Sequence, residues 1–179
     1  LYLRTDPVRG GIFPGSWFSD ADSPTAAEAG VHAMTENARP DLSRLAGVRA
    51  LLVDDNEQNL ELLEAYVEDL GCETMTARDG VEALEIVARR RPDVILLDVM
   101  MPRMSGFQCL VRLKADPATR TIPVLIVTAL NEVADVERAR EAGADDFISK
   151  PVNKVELLQK VRTLAVRGRA QRELRERQA

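Results

Sequence analysis

Histidine is almost missing from this 179-residue chain: the single example, His32, lies early, well before the regular part of the sequence. Cysteine occurs only at Cys72 and Cys109. The body of the chain therefore cannot assemble a Ser-His-Asp or Cys-His catalytic set. Two cysteines at that separation do not make a four-ligand zinc site, nor a disulfide scaffold. A Cys-poor body rich in arginine and glutamate suits a reducing compartment, and the expected location is cytoplasmic. Aromatics are scarce as well. Tyr2, Phe13, Trp17 and Phe18 open the chain, which leaves Tyr66, Phe107 and Phe147 for everything else, so the core must be mainly aliphatic. No apolar run reaches the roughly 18 residues of a membrane helix, and the N-terminus lacks the charged-then-apolar order of a signal peptide. No glycine-rich phosphate loop follows the first apolar run, which argues against a nucleotide-binding sheet. A net charge of −5 argues against direct nucleic-acid binding, although the C-terminal stretch is locally basic.

Residues 1–46 hold clusters such as Arg9-Gly10-Gly11 and Ser23-Pro24-Thr25 with no sustained period, and read as a flexible or disordered lead-in. The chain opens on Leu1, and Met34 just ahead of the regular part is a candidate natural start. From Val48 onward, short apolar runs at Val48–Val53, Val94–Leu97, Val124–Val127 and Phe147–Ile148, with a more mixed run at Cys72–Thr76, alternate with stretches of helical spacing. Asn56, Asp79, Ser105, Asn131 and Asn153 stand where helix N-caps are wanted, and Gly71 and Gly143 where helices end. Five strand–helix alternations with continuous apolar strands predict a doubly wound α/β fold, a five-stranded parallel sheet with helices on both faces. Right-handed crossovers give the order 2-1-3-4-5, with Cys72–Thr76 as an edge strand. The predicted domain covers residues 47–166. Residues 167–179 form a basic helical extension, read as a solvated continuation of the fifth helix, because a heptad seam fails at Gly168 and Gln171. Cys72, Cys109 and Tyr66 read as packing residues.

The chemistry falls at strand ends. Asp54 and Asp55 follow the first run, Asp98 the third, Thr128 ends the fourth, and Ser149-Lys150 follow the fifth. In open parallel sheets the ligand cleft lies outside the carboxyl ends of the strands, near the switch point. Three carboxylates, a lysine and a hydroxyl therefore meet in one cleft. Clustered carboxylates repel unless a cation shares the site, and an all-oxygen set suits Mg²⁺. With a lysine and a hydroxyl beside it, this is equipment for phosphoryl transfer, and Asp98 is the best-placed nucleophile. Acids after strands are often plain helix caps, which accounts for Asp79 and Asp116 but poorly for the whole set.

The ordered set Val53-Asp54-Asp55-Asn56, Leu97-Asp98-Val99-Met100-Met101-Pro102, Gly106, Val127-Thr128-Ala129, Gly143-Ala144-Asp145-Asp146-Phe147 and Ser149-Lys150-Pro151 strongly resembles the receiver domain of two-component response regulators, the CheY-like superfamily. The resemblance implies a flavodoxin-like fold over about residues 47–166. It implies that Asp98 accepts a phosphoryl group from a phosphohistidine, and that Asp55, Asp98 and the Met100 backbone carbonyl bind Mg²⁺ or Mn²⁺, with Asp54 acting largely through water. By the same resemblance Lys150 pairs with the carboxylate or phosphate, Lys150-Pro151 is a cis peptide, Thr128 bonds the phosphate after transfer, and Phe147 rotates inward. On its own residues, Phe147 reads better as a core aromatic at the start of a strand, and only the family pattern raises the switch role. Arg103 and Ser105 depart from the family pattern, in which glycine and an acid are frequent. Met100 and Leu130 flank the site and are expected to tune the phosphate's lifetime.

The implied partners are a sensor histidine kinase or phosphotransfer protein and a downstream target or output domain, with homodimerisation through the fourth helix, fifth strand and fifth helix as a further expectation. Neither membrane nor nucleic acid is among the partners. Such a chain is a phosphoacceptor switch rather than an enzyme with turnover. Two alternatives stand beside it. One is the receiver portion of a larger hybrid kinase or effector-bearing regulator. The other is a phosphohydrolase with an aspartate nucleophile, which wants an acid two residues beyond Asp98, where Met100 stands.

Overall fold

The computed structural model describes residues 45–129 and 133–179. The expectations for the lead-in up to residue 44, for a start at Met34, and for His32, Leu130 and Asn131 lie outside the described residues. Five strands, β1 (Arg49–Val53), β2 (Glu73–Ala77), β3 (Val94–Leu97), β4 (Val124–Thr128) and β5 (Asp146–Ser149), alternate with helices α1 (Glu57–Glu68), α2 (Gly80–Arg90), α3 (Gly106–Ala115), α4 (Val133–Glu141) and α5 (Lys154–Gln178).

Side chains start the helices by taking up otherwise unpaired amides of the first turn. Asn56 accepts from the amides of Gln58 and Asn59, Asp79 from those of Val81 and Glu82, and Asn153 from that of Glu156. Ser105 and Gln108 form a reciprocal capping box at the head of α3. α1 stops earlier than its glycine suggests. It ends at Glu68, and the Leu70 and Gly71 amides bond back to the Val67 and Glu68 carbonyls, with Gly71 at φ 73° closing the turn.

All strand pairings are parallel, in the order β2-β1-β3-β4-β5. The three central strands are buried almost throughout, while β2 and β5 at the edges are part-exposed. Alternate strand residues point to opposite faces. Ala50, Leu52, Leu96, Leu125, Val127 and Ile148 pack under Leu63 and Val67 of α1 and Val161 and Leu164 of α5. Leu51, Val53, Ile95, Leu97 and Ile126 pack under Val87 of α2, Leu110 and Leu113 of α3 and Ala139 of α4. Leu45 is already buried in the first of these layers. Cys72 and Cys109 are buried, and Tyr66 packs at the edge of the α1 layer.

The basic C-terminal stretch differs from a solvated continuation. α5 runs unbroken through Gly168, which is itself buried, and passes the N-terminal ends of the central strands. A Cβ on Gly168 would lie 1.6 Å from the Asp93 carbonyl oxygen, so only glycine lets the helix approach there. One turn on, Arg172 makes a two-pronged contact with the fully buried carboxylate of Asp93, at 2.7 and 3.3 Å. Arg169 donates to the Ala46 carbonyl at 2.9 Å, and Arg175 to that of Ala118 at 2.9 Å. A guanidinium has five donors and a weakly held hydration shell, so it seats on carbonyls where a lysine would stay in water.

Candidate functional site

The site is assembled by strand pairing. β1 and β3 lie side by side with Val53 opposite Leu97, so the residues that follow, Asp54 and Asp98, emerge together at the switch point. The Asp98 amide is tied to the Val53 carbonyl at 2.9 Å. On the other side Thr128 pairs with Ser149, and the Lys150 amide bonds the Thr128 carbonyl at 2.9 Å. The Lys150–Pro151 peptide is cis.

Lys150 is the single cation in contact with these carboxylates among the described residues. Its ammonium lies 2.7 Å from Asp54 and 3.3 Å from Asp98. Asp54 is buried, and its oxygens also accept from the Asn56 amide at 2.9 Å and from the Asn59 side chain at 3.1 Å each. Asp98 is 6% exposed, and among the described residues it has only a long contact of 3.4 Å from the Met100 amide besides Lys150. Asp55 faces solvent. Burial pushes the Asp98 carboxyl above its ordinary range; the Lys150 charge opposes that shift and the Asp54 charge adds to it. Burial alone would depress the Lys150 ammonium, but its hydrogen bond to Asp54 and the charges of Asp98 and Asp54 outweigh this and raise it.

Oxygens of Asp54, Asp55 and Asp98 fall within 4.8 Å of one another, and Lys150 neutralises only one of the three charges. That surplus, with oxygen as the only donor type, fits a hard divalent cation. Just beyond lies a polar atom with no partner among the described residues: the buried Thr128 hydroxyl makes no hydrogen bond to any of them. A buried hydroxyl without a partner is costly, which marks it as poised for one. Thr128 borders a narrow apolar gap lined by Val99, Phe107, Val136, Ala139 and the half-buried Phe147.

The loop after β3 is folded tightly on itself. A Cβ on Gly106 would lie 2.1 Å from the Asp98 carbonyl oxygen, so glycine lets α3 start directly against the Asp98 backbone. Arg103 sits at φ 62°, a conformation that favours glycine, and its side chain ion-pairs with the buried Asp79 at the head of α2. The sequence thus brings Asp54, Asp55, Asp98, Thr128 and Lys150 to one cleft, with Phe147 behind Thr128. Asn59 and the Arg103–Asp79 pair escaped sequence reasoning. A polar residue in a helix's first turn carries no local signal of what it faces.

Comparison with known proteins decides the family. A family model for the response regulator receiver domain matches residues 50–162. The chain belongs to the response regulator receiver domain family. Among curated relatives of this receiver, the response regulator PleD of Caulobacter vibrioides is 48% identical over 131 residues, covering 73% of this chain and 29% of PleD. The polar-differentiation response regulator DivK of Brucella anthropi is 42% identical over 103 residues, covering 58% of this chain and 84% of DivK. The match thus spans a little under a third of PleD's length but most of DivK's. Among solved structures, a response regulator from Chloroflexus aurantiacus matches at TM-score 0.64 and 32% identity, over 66% of this chain and 98% of its own. The chemotaxis protein CheY4 of Vibrio cholerae matches at TM-score 0.62 and 30% identity, over 65% of this chain and 98% of its own. Among the described residues no helix is long and apolar enough to cross a membrane.

Proposed function

We propose that this receiver is the phosphoacceptor of a two-component phosphorelay, with Asp98 as the nucleophile. The observation that carries the reading is the juxtaposition of a nearly buried Asp98 with Asp54, Asp55 and Lys150, beside a buried Thr128 hydroxyl that has no partner among the described residues. A carboxylate oxygen of Asp98 attacks the phosphorus of a phosphohistidine on a sensor kinase or phosphotransfer protein. The new P–O bond forms as the P–N bond breaks, and the electron pair returns to the partner's imidazole. This explains how a body without histidine takes part in histidine-based transfer: the imidazole belongs to the donor.

Asp54, Asp55, Asp98 and the Met100 backbone carbonyl would hold Mg²⁺ or Mn²⁺, which supplies charge neutralisation for the phosphoryl oxygens when bound. Lys150 is close enough to follow the charge as it moves from carboxylate to phosphate. Asn59 and the Asn56 amide fix Asp54 so that it does not swing away from the cleft. Once phosphate is present, the Thr128 hydroxyl donates to one of its oxygens, and Phe147 shifts into the space vacated behind it. That remodels the α4–β5–α5 face, where a downstream target or a second copy docks. The site works in the cytoplasm as a switch rather than a turnover catalyst.

A second reading, a receiver portion of a larger effector-bearing regulator, draws on the match to PleD, of which the receiver covers 29%. The flanking gene sequence decides it. An aspartate-nucleophile phosphohydrolase is disfavoured by Met100, a side chain with no acid to protonate a leaving group. Titration of beryllofluoride with Mg²⁺, followed by amide NMR, tests the main reading. Saturable shifts at Asp98, Thr128 and Lys150 are expected, and none in Asp98→Ala. Equal shifts in the variant would move the phosphoacceptor elsewhere.

A further inference from the structure

A cavity of about 430 Å³ lies between α3 and α4, on the flank of the domain and outside the carboxylate cleft. Its floor is apolar: Met104, Phe107, Val111 and Ala142. Its polar lining is Arg103, Arg112, Arg138 and Gln108, so every charged group in it is a guanidinium. Arg103 is committed to Asp79. Among the described residues Arg112 and Arg138 make no ion pair, and Arg138 instead lies over the Phe107 ring at 4.7 Å from its centre. Val111 is 53% exposed, an open apolar side chain beside two guanidiniums with no ion pair among the described residues.

We propose that this groove is a second ligand site, for a small organic dianion: a flat apolar body carrying a phosphate ester or two carboxylates. The apolar floor and the half-buried Phe107 take the body, and the Arg112 and Arg138 guanidiniums take the charge by two-pronged hydrogen bonding. The volume is within the range of small-ligand pockets, roughly 300–1,000 Å³. Its eight lining residues fall well short of the roughly 20–30 per side that a stable protein interface recruits, which favours a small ligand over a protein segment.

Phe107 gives the groove a route to the switch. The same ring that lines the groove also lines the gap beside Thr128, together with Val136 and Ala139 of α4. A ligand seated on Phe107 and Arg138 fixes the position of the wall that Thr128 and Phe147 move against. Occupancy of the groove therefore shifts the affinity of the carboxylate cleft for a phosphoryl mimic, and the reverse holds equally. This coupling rests on the phosphorylation reading above; the binding itself does not.

The full chain is titrated with phenyl phosphate and with phthalate, which separate the two anion types, and with inorganic phosphate as the charge-only arm, all read by amide NMR. Expected are saturable shifts at Phe107, Val111, Arg112 and Arg138 for at least one aromatic probe, with Kd near or below about 1 mM. Arg112→Gln with Arg138→Gln should weaken that probe about tenfold or more, Val111→Ser should weaken it without affecting inorganic phosphate, and Asp98→Ala should leave it unchanged. Absence of saturable shifts, equal binding by the arginine variant, or the same shifts with inorganic phosphate alone overturns the site. An acidic helical peptide that binds where neither aromatic probe does reassigns the groove to a protein partner and overturns it too. For the coupling, the bound probe should change the beryllofluoride midpoint about fivefold. An unchanged midpoint overturns the coupling and leaves the site. Failure of beryllofluoride to bind overturns the phosphorylation reading and the coupling with it, while the groove still stands or falls on its own shifts.

Discussion

At the scale of single residues, burial sets the chemistry. Cys72 and Cys109 lie in the two apolar layers, and burial pushes each thiol up to about 11, with the Asp93 charge adding to the effect at Cys72 and Arg112 opposing it at Cys109. Thiolate is the reactive form, so both should resist iodoacetamide at mildly alkaline pH in the folded domain and react readily in denaturant. Mass spectrometry counts the adducts, and rapid labelling of native protein would contradict the assigned burial. Asp98 gives a pH dependence with a definite sign. Its folded pKa lies above the ordinary carboxylate value, so the folded state holds the proton more tightly than the unfolded chain. Without divalent metal, its contribution lowers stability as pH rises from the ordinary carboxylate range through the raised folded value, and the loss is complete above that. Asp98→Asn should therefore melt higher than the parent at neutral pH in EDTA, with the gap closing on acidification. A variant that melts lower at neutral pH would show that the carboxylate is a net stabiliser through Lys150.

At the scale of elements, α5 is more than a cover for the sheet. Arg172 is the charged partner of a carboxylate with no exposure to water. Removing one side of such a pair strands the other, and Arg172→Ala should cost about 3 kcal/mol in urea unfolding. A loss within the range of an exposed pair, under about 1 kcal/mol, would mean that water reaches Asp93. Gly168→Ala pits two effects against each other. Alanine is favoured over glycine in a helix by about 1 kcal/mol, but the new Cβ would sit 1.6 Å from backbone oxygen and force the helix outward. Overpacking of that kind costs about 1–3 kcal/mol and has backbone rather than a flexible side chain to displace, so net destabilisation is expected.

The elements also show how far sequence reading reaches. Asn56, Asp79, Ser105 and Asn153 were legible as caps because the cap and its amides lie within four residues. The central strands were legible because burial on both faces leaves continuous apolar runs, and the acids, threonine and lysine of the cleft because each directly ends or follows such a run. The Asp93–Arg172 pair joins residues 79 apart. No local pattern marks it, and arginine-rich composition reads as solvent-facing until a guanidinium is seen on a buried partner. The Arg103–Asp79 pair escaped for a similar reason: the side chain of Arg103 pairs with Asp79, which lies on another element.

At the scale of the whole molecule, the sheet separates two tasks. Its C-terminal edge gathers the carboxylates, Lys150 and Thr128, while its N-terminal edge is closed by α5 and its arginines. Asp98 is thereby held at the end of one of the most buried strands, while β5 and α4 are part-exposed. The central claim is that one phosphoryl group attaches to Asp98 and to no other residue. Intact-mass spectrometry after incubation with acetyl phosphate and Mg²⁺, with the site located by peptide fragmentation, tests it directly. A single added phosphoryl group on Asp98, lost with EDTA and in Asp98→Ala, is the expected result. An unchanged mass, or labelling that persists in Asp98→Ala, would contradict it.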